Sequence, residues 1–219
     1  MEEIFGLQVI STIVSGAEAY IYLVNFFGQK AILKYRKPKS YRNTTLDVKI
    51  RSERTLLEAK LIGRACLAGV NTPALFAVSR SNATILMEYI NGVNLLGVDD
   101  KTLLTHVSTV ASSMGVLHKN GIIHGDPTLA NIIVSNNDVF FVDFGLGNFS
   151  YDIEQRAVDV NLFLKICQAL KPSVYNDILG KFKEGYFEAI GQKQGEQVLE
   201  RVKQIRMRGR YVEERREKY

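Results

Sequence analysis

The sequence predicts an α+β fold of two lobes, a β-rich lobe with one main helix followed by a reduced helical lobe, with a cleft between them. Three observations carry this. Short β-rich runs fill the first third of the chain, one long helical period interrupts them, and helical spacing dominates from residue 101 onward. The boundaries read as 1–91 for the first lobe, 92–206 for the second and 207–219 for a basic carboxy-terminal tail.

Taken in order, Leu7–Val14 and Ala19–Phe27 are strand-like runs joined by Ser15-Gly16-Ala17-Glu18, and Lys30–Lys34 follows the turn signal at Gly28. A polar loop with Pro38 leads into a helix over Asp47–Ala68, where Ile50, Leu57, Leu61 and Ala65 recur at helical spacing and Gly69 is a natural stop. Leu75–Val78 and Thr84–Tyr89 read as two more strands. Lys101–Lys119 carries Leu103, Val107, Val110, Met114 and Leu117 along one helical face. Strands over Ile132–Val134 and Val139–Val142 flank Asn136-Asn137-Asp138. Helices are predicted over Ile153–Leu170, Ser173–Ala189 and Glu196–Arg206. No internal repeat or low-complexity segment stands out.

The bulk properties exclude several classes. The chain has 219 residues, 46% of them hydrophobic, which is enough for a substantial core. No apolar run approaches the ~20 residues of a bilayer span, and the start of the chain lacks a signal-peptide pattern, so a soluble, cytoplasmic protein without a membrane is expected. Cys66 and Cys167 lie in helix-like apolar contexts and are expected to be buried core thiols rather than a disulfide. Three histidines, none at ligand spacing, argue against zinc. Residues 201–219 hold eight Lys/Arg against three Glu, which accounts for the whole net charge of +5. A basic end of this kind fits an anionic partner, nucleic acid or an acidic protein face, though a solvated helix end has the same composition.

The residues with the clearest chemistry are Ile123-His124-Gly125-Asp126-Pro127-Thr128-Leu129-Ala130-Asn131, followed after a short hairpin by Val142-Asp143-Phe144-Gly145. Phosphoryl transfer needs a carboxylate that orients the acceptor and metal ligands that neutralise phosphate oxygens. Asp126 suits the first role. Asn131 and Asp143 suit the second, because magnesium takes hard oxygen donors. Gly145 permits the sharp turn after Asp143.

Together these segments match the pattern of protein kinases, and upstream partners follow. Lys34 ends Ala31-Ile32-Leu33-Lys34, as the lysine that contacts the α- and β-phosphates does in kinases. Its glutamate partner is read as Glu58, with Glu53 as the alternative, since the two point from different helix faces. Ile85-Leu86-Met87-Glu88-Tyr89-Ile90 resembles a kinase hinge, with Met87 behind the adenine pocket and the backbone of Glu88 and Ile90 meeting the base. Gly16 marks the phosphate loop. His124 reads as structural. Asp159, in Ala157-Val158-Asp159, is placed to brace the catalytic loop, or else acts as a plain helix-start carboxylate.

Across nearly its full length the chain resembles the small atypical kinase of the KEOPS complex, which makes threonylcarbamoyladenosine in tRNA. The resemblance rests on Ser15–Ala19, Lys34-Tyr35-Arg36, Arg51–Ala59, Ile123–Asn131, Asp143–Gly147, Ala157-Val158-Asp159 and Arg208-Gly209-Arg210-Tyr211. It implies a minimal protein-kinase-like fold and a Mg2+-dependent ATPase and atypical Ser/Thr kinase that can autophosphorylate, with ATP and Mg2+ as cofactors. It also implies the threonylcarbamoyl-transferase subunit as a partner, a small KEOPS subunit on the other side, and tRNA or a partner's cleft for the tail with Arg208, Arg210 and Tyr211.

Three departures from ordinary kinases are legible. The phosphate loop has one glycine, Gly16, and carries Glu18, an unexpected carboxylate near an anion. Fifteen residues separate Asp143 from Asp159, too few for a peptide-docking activation segment. Pro127 removes an amide donor beside Asp126. Alternatives remain: a small-molecule phosphotransferase, which shares the His-Gly-Asp signature; a silent nucleotide-binding scaffold; and a RIO-type kinase, expected to carry an added amino-terminal domain.

Overall fold

The structure, a computed structural model, describes residues 3–16 and 18–216, for 209–216 the backbone alone. The chain runs β1 (Glu3–Ile4), β2 (Leu7–Ser15), β3 (Ala19–Phe26), β4 (Gln29–Arg36), α1 (Thr44–Leu67), β5 (Leu75–Ser79), β6 (Thr84–Glu88), β7 (Val93–Asn94), α2 (Asp100–Lys119), β8 (Ile122–Ile123), β9 (Ile132–Ser135), β10 (Asp138–Phe141), β11 (Asn148–Phe149), α3 (Ile153–Leu170), α4 (Tyr175–Ile190) and α5 (Gln192–Arg216).

Backbone pairing joins β1 to β6 in one antiparallel sheet of six strands, ordered β1-β2-β3-β4-β6-β5. Two register shifts, between Val9 and Ser11 and between Thr12 and Val14, bend β2 just before the Gly16 turn. One face of the sheet closes over Val24, Ala31, Leu33 and Leu86. On the other face lies α1, whose Ala59, Leu61, Ile62 and Ala65 join Ile85 and Met87 in the same core as the helices of the second half. That shared core fixes the two halves of the cleft to each other.

α1 begins at Asn43, whose side chain accepts from Thr45 N–H. Its buried face is unusual for a core helix: Asp47, Ser52, Thr55 and Glu58 are buried along with the apolar residues, whereas Ile50 and Leu57 are only half-buried. The helix therefore presents polar groups to the sheet and the cleft, not a plain apolar stripe.

In the helical half α2 and α4 pack most closely. A Cβ on Gly185 would stand 2.1 Å from the Ser108 carbonyl oxygen, and one on Gly115 would stand 2.7 Å from Ala189 Cβ. Small residues at these two points let the helices meet at interior packing density. Phe163, Phe182 and Tyr186 stack beside them, with centroids 5.4 and 5.5 Å apart.

Some boundaries differ from the sequence reading. α5 starts at Gln192 and continues to Arg216, so no break falls at residue 207. Arg201 and Arg208 both pair with Glu154 of α3, and Arg206 donates to Asn161 and to the Tyr175 hydroxyl, so polar anchors hold the helix where apolar spacing runs out. Cys167 is buried, and burial pushes its thiol up to about 12; Cys66 is exposed, a correction to the expected pair of core thiols. Cys66 follows Ala65 by one position, and a helix turns that neighbour away from the core. Among the described residues no helix is long and apolar enough to cross a membrane.

Candidate active site

Strand alternation places Lys34 and Arg36 of β4 on one face, both almost completely buried. α1 answers with Glu58, 1% exposed, whose Oε1 accepts from Lys34 Nζ at 2.7 Å and whose Oε2 accepts from Arg36 Nη2 at 2.5 Å. Glu53 is exposed on another face of the helix. Lys34 Nζ also donates to Asp143 Oδ1 at 2.6 Å.

Asp143 has φ +62°, a left-handed conformation that acidic side chains tolerate better than most, and Gly145 N–H closes onto its Oδ1 at 3.0 Å. Burial by itself would raise the Asp143 pKa; the Lys34 charge and hydrogen bond, with the Gly145 N–H, overcome it and hold the carboxyl below the usual range. Asp143 is thus an anion at neutral pH.

The catalytic-type loop is fixed from below. Asp159 Oδ2 accepts from His124 N–H at 2.7 Å, and its Oδ1 accepts from Gly125 N–H at 2.9 Å. His118 and the Tyr186 hydroxyl, 2.7 Å apart, back this carboxylate from α2 and α4. Gly125 has φ +82°, and a Cβ there would stand 2.3 Å from the Leu146 carbonyl oxygen, so the two loops pass as closely as backbone allows. Asn131 Nδ2 donates to the Asp126 carbonyl at 3.0 Å and to Asp126 Oδ2 at 2.9 Å, which leaves the side-chain Oδ1 of Asn131 and Asp126 Oδ1 for other partners. Pro127 is accommodated because the next amide, Thr128, turns back to the Asp126 carbonyl.

His124 is buried against Phe144, with centroids 4.4 Å apart, and its Nε2 lies 3.1 Å from the Val142 carbonyl. Burial lowers its pKa, against the opposing pull of Asp159, Asp143 and Asp126, so the ring is neutral. As pH falls through 6.5 the unfolded chain takes up this proton first, so the stability present above 6.5 is lost below it. Between about pH 7.5 and 5.5, the unfolding free energy of the wild type is expected to drop by more than that of a His124→Gln variant. Denaturant titrations at the two pH values check this, and equal slopes would contradict it.

Two cavities make up the cleft. One, of about 430 Å³, is walled by Ile21, Ile32, Met87, Ile90, Ala130 and Val142 and ends at Asn131 and Asp143. Glu88 lies on its rim with its N–H spent on the Ala74 carbonyl at 2.8 Å, so only its carbonyl remains for a base. The other, of about 310 Å³, holds Gly16, Lys34, Arg36, Asp126, Asp143 and Gly145. They share Lys34 and Asp143. An apolar slot opening into a charged end has the shape of a nucleotide site. A larger hollow of about 900 Å³ beside Lys60, Arg64 and Tyr151 includes none of these residues.

Glu18, which looked adverse to an anion, is tied to Arg54 at 2.9 Å and stands 3.8 Å from Arg36 Nη1. Between Asp143 and Asp159 the chain forms β11, paired with β8, and then enters α3 directly. Among the described residues no trio of His, Cys, Asp or Glu stands ready to enclose a metal. The donors Asn131 and Asp143 instead fit an ion that draws its other ligands from phosphate and water, which is the habit of magnesium. Of the tail residues, Arg208 donates to Glu154 at 3.0 Å, while the side chains of Arg210 and Tyr211 lie outside the described residues.

The antiparallel sheet with its lysine–glutamate pair, the cleft, and the loops carrying Asp126, Asn131 and Asp143 define a protein-kinase-fold phosphotransferase. Solved structures of the same fold include the Rio2 kinase–ADP/Mg2+–phosphoaspartate complex from Chaetomium thermophilum, with TM-score 0.65, 18% identity and coverage of 90% of this chain and 70% of that one. WaaP in complex with acyl carrier protein follows at TM-score 0.62 and 15% identity, over 94% of this chain and 88% of that one. A family model described as lipopolysaccharide core biosynthesis protein (WaaY) matches residues 4–203.

Full-length relatives are more specific. The KEOPS complex subunit Bud32 of Pyrococcus abyssi is 36% identical over 208 residues, 90% of this chain and 94% of the relative. The probable serine/threonine-protein kinase BUD32 homolog of Archaeoglobus fulgidus is 40% identical over 200 residues, 90% of this chain and 95% of the relative. The chain belongs to the Bud32 family. It also matches the probable bifunctional tRNA threonylcarbamoyladenosine biosynthesis protein of Methanothermobacter thermautotrophicus at 38% identity, over 90% of this chain but only 36% of that longer protein.

Proposed function

We propose that this chain is a Mg2+-dependent ATPase and atypical Ser/Thr kinase that supports threonylcarbamoyladenosine modification of tRNA as a subunit of KEOPS. The observation that carries the chemistry is the meeting of Lys34, Asp126 and Asp143 in one charged cavity at the end of an apolar slot, with Glu58 bonded to Lys34 behind it and Asn131 bonded to Asp126 from the slot. The tRNA role is supported by the names of relatives that match nearly all of the chain.

In this reading the base enters between Ile21 and Val142 with Met87 behind it, and the Glu88 carbonyl and Ile90 backbone take its edge. Lys34, oriented by Glu58, holds the inner phosphates. The turn at Gly16 covers them. Magnesium, held by Asn131 and Asp143, would supply the charge that neutralises the phosphate oxygens. Asp126, fixed by Asn131, orients the attacking water or hydroxyl and takes its proton. The short link between Asp143 and Asp159 offers no peptide platform, which favours hydrolysis and autophosphorylation over phosphorylation of other proteins. The threonylcarbamoyl-transferase subunit and a second small subunit are the proposed neighbours, in the cytoplasm. The basic end with Arg208, Arg210 and Tyr211 serves tRNA or the partner, and Arg208 would have to exchange Glu154 for it.

The test is ATP hydrolysis by wild type and Asp126→Ala, each alone and with the threonylcarbamoyl-transferase partner and tRNA. Wild-type turnover should rise with partner and tRNA and fall about 10²- to 10⁴-fold in the variant. Equal tRNA modification by Asp126→Ala would favour a nucleotide-binding scaffold. The WaaY match supports a second reading, a small-molecule phosphotransferase. Rapid phosphorylation of small hydroxylated acceptors, with turnover indifferent to partner and tRNA, would favour it.

A further inference from the structure

The cleft contains a second buried cation that the kinase pattern does not explain. Arg36 is 5% exposed, and its guanidinium has spare capacity. Nη2 holds Glu58, but Nε is buried with no hydrogen-bond partner, and Nη1 has only Glu18, at 3.8 Å, beyond hydrogen-bond range. A buried guanidinium N–H left unpaired costs on the order of 1–3 kcal/mol, so an arginine kept this way calls for an acceptor that arrives later.

The location says which acceptor. Lys34 lines both cavities of the cleft, whereas Arg36 lines only the charged end, together with Asp126 and Gly145. Its Nη2 stands 3.0 Å from where a Cβ on Gly145 would be, beside Lys34 Nζ at 3.3 Å, so the two cations flank the same charged end. A ligand with its base in the apolar slot and its inner phosphates at Lys34 brings its outermost phosphate to Arg36. The planar fork of arginine suits phosphate oxygens, and the site needs such a group because its Gly16 loop has a single glycine to bring backbone amides near the anion.

We propose that Arg36 binds the terminal phosphate of ATP, keeping Glu58 on Nη2 while offering its other N–H groups, and so makes the cleft select ATP over ADP. This rests on the nucleotide reading given above. Glu58 then serves both cations, orienting Lys34 and holding Arg36 in place.

The experiment measures the affinities of ATP and ADP, each with Mg2+, for wild type, Arg36→Met and Arg36→Lys by titration calorimetry. Wild type should bind ATP more tightly than ADP. Arg36→Met should weaken ATP about tenfold or more while changing ADP less than about twofold, and Arg36→Lys should fall between. Equal weakening of both nucleotides would assign Arg36 to holding Glu58 and overturn the inference, although the cleft would still be a nucleotide site. No binding of either nucleotide by wild type would overturn the reading of the cleft itself. Should Arg36→Met not fold, Glu18→Gln removes the carboxylate 3.8 Å from Nη1. ATP should then tighten relative to ADP, and an unchanged ratio would overturn the inference.

Discussion

Replacing Glu58 with alanine is expected to lower the melting temperature by about 10 °C and ATP turnover by about 10² or more. The carboxylate is the shared counter-charge of two buried cations, at 2.7 Å from Lys34 and 2.5 Å from Arg36. Removing one partner of a buried ion pair costs roughly 3–5 kcal/mol, because the charge left behind has lost both water and counter-ion. For a chain of this length each kcal/mol moves the melting point by about 2–4 °C. Lys34 would then be held only by Asp143, and a misplacement of about 1 Å at a phosphate contact costs about a hundredfold. Glu58→Gln keeps the shape and loses the charge, so it should fall between. A melting point within about 2 °C of wild type, with full turnover in Glu58→Ala, would show that Glu58 organises neither cation.

Asp159→Ala should be comparably severe through a different cause. Its two oxygens accept the N–H groups of buried His124 and half-buried Gly125. Each orphaned donor costs about 1–3 kcal/mol, so a loss of roughly 2–6 kcal/mol is expected out of a total of only about 5–15. The loop that carries Asp126 would lose its anchor, and turnover should drop with stability. Thermal unfolding and single-turnover hydrolysis measure both. Near-normal stability would reduce Asp159 to a helix-start carboxylate.

Much of the site was readable because its residues obey strong local rules. The antiparallel strands show in the β-rich runs Ala19–Phe27 and Lys30–Lys34 on either side of the Gly28 turn, and the order of Lys34, Glu58, Asp126, Asn131 and Asp143 along the chain limits the arrangements that could bring them together. What escaped depends on three-dimensional neighbours. β7, β8 and β11 have two residues each, too few to show a period. Helical spacing suggests an apolar face for α1 through Ile50 and Leu57, but the helix turns Thr55 and Glu58 inward, where Glu58 meets Lys34 and Arg36. Arg36 was noted only as part of a matching segment, although a two-residue period from Lys34 was signal enough to place it on the same face. Glu18 read as a misplaced negative charge until Arg54 and Arg36 were seen beside it. The carboxy-terminal end read as a separate tail because apolar spacing fades near residue 206, while the anchors of α5 onto α3 are charges: Arg201 and Arg208 on Glu154.

Steady-state ATP hydrolysis with and without Mg2+, by wild type and Asp143→Ala, tests whether Asp143 and Asn131 make this cleft a working Mg·ATP site. Turnover should require Mg2+ and fall by about 10³ or more when the carboxylate is removed, since a bound metal supplies several kcal/mol of transition-state stabilisation. Turnover that persists when Mg2+ is chelated, or that survives intact in Asp143→Ala, would contradict it.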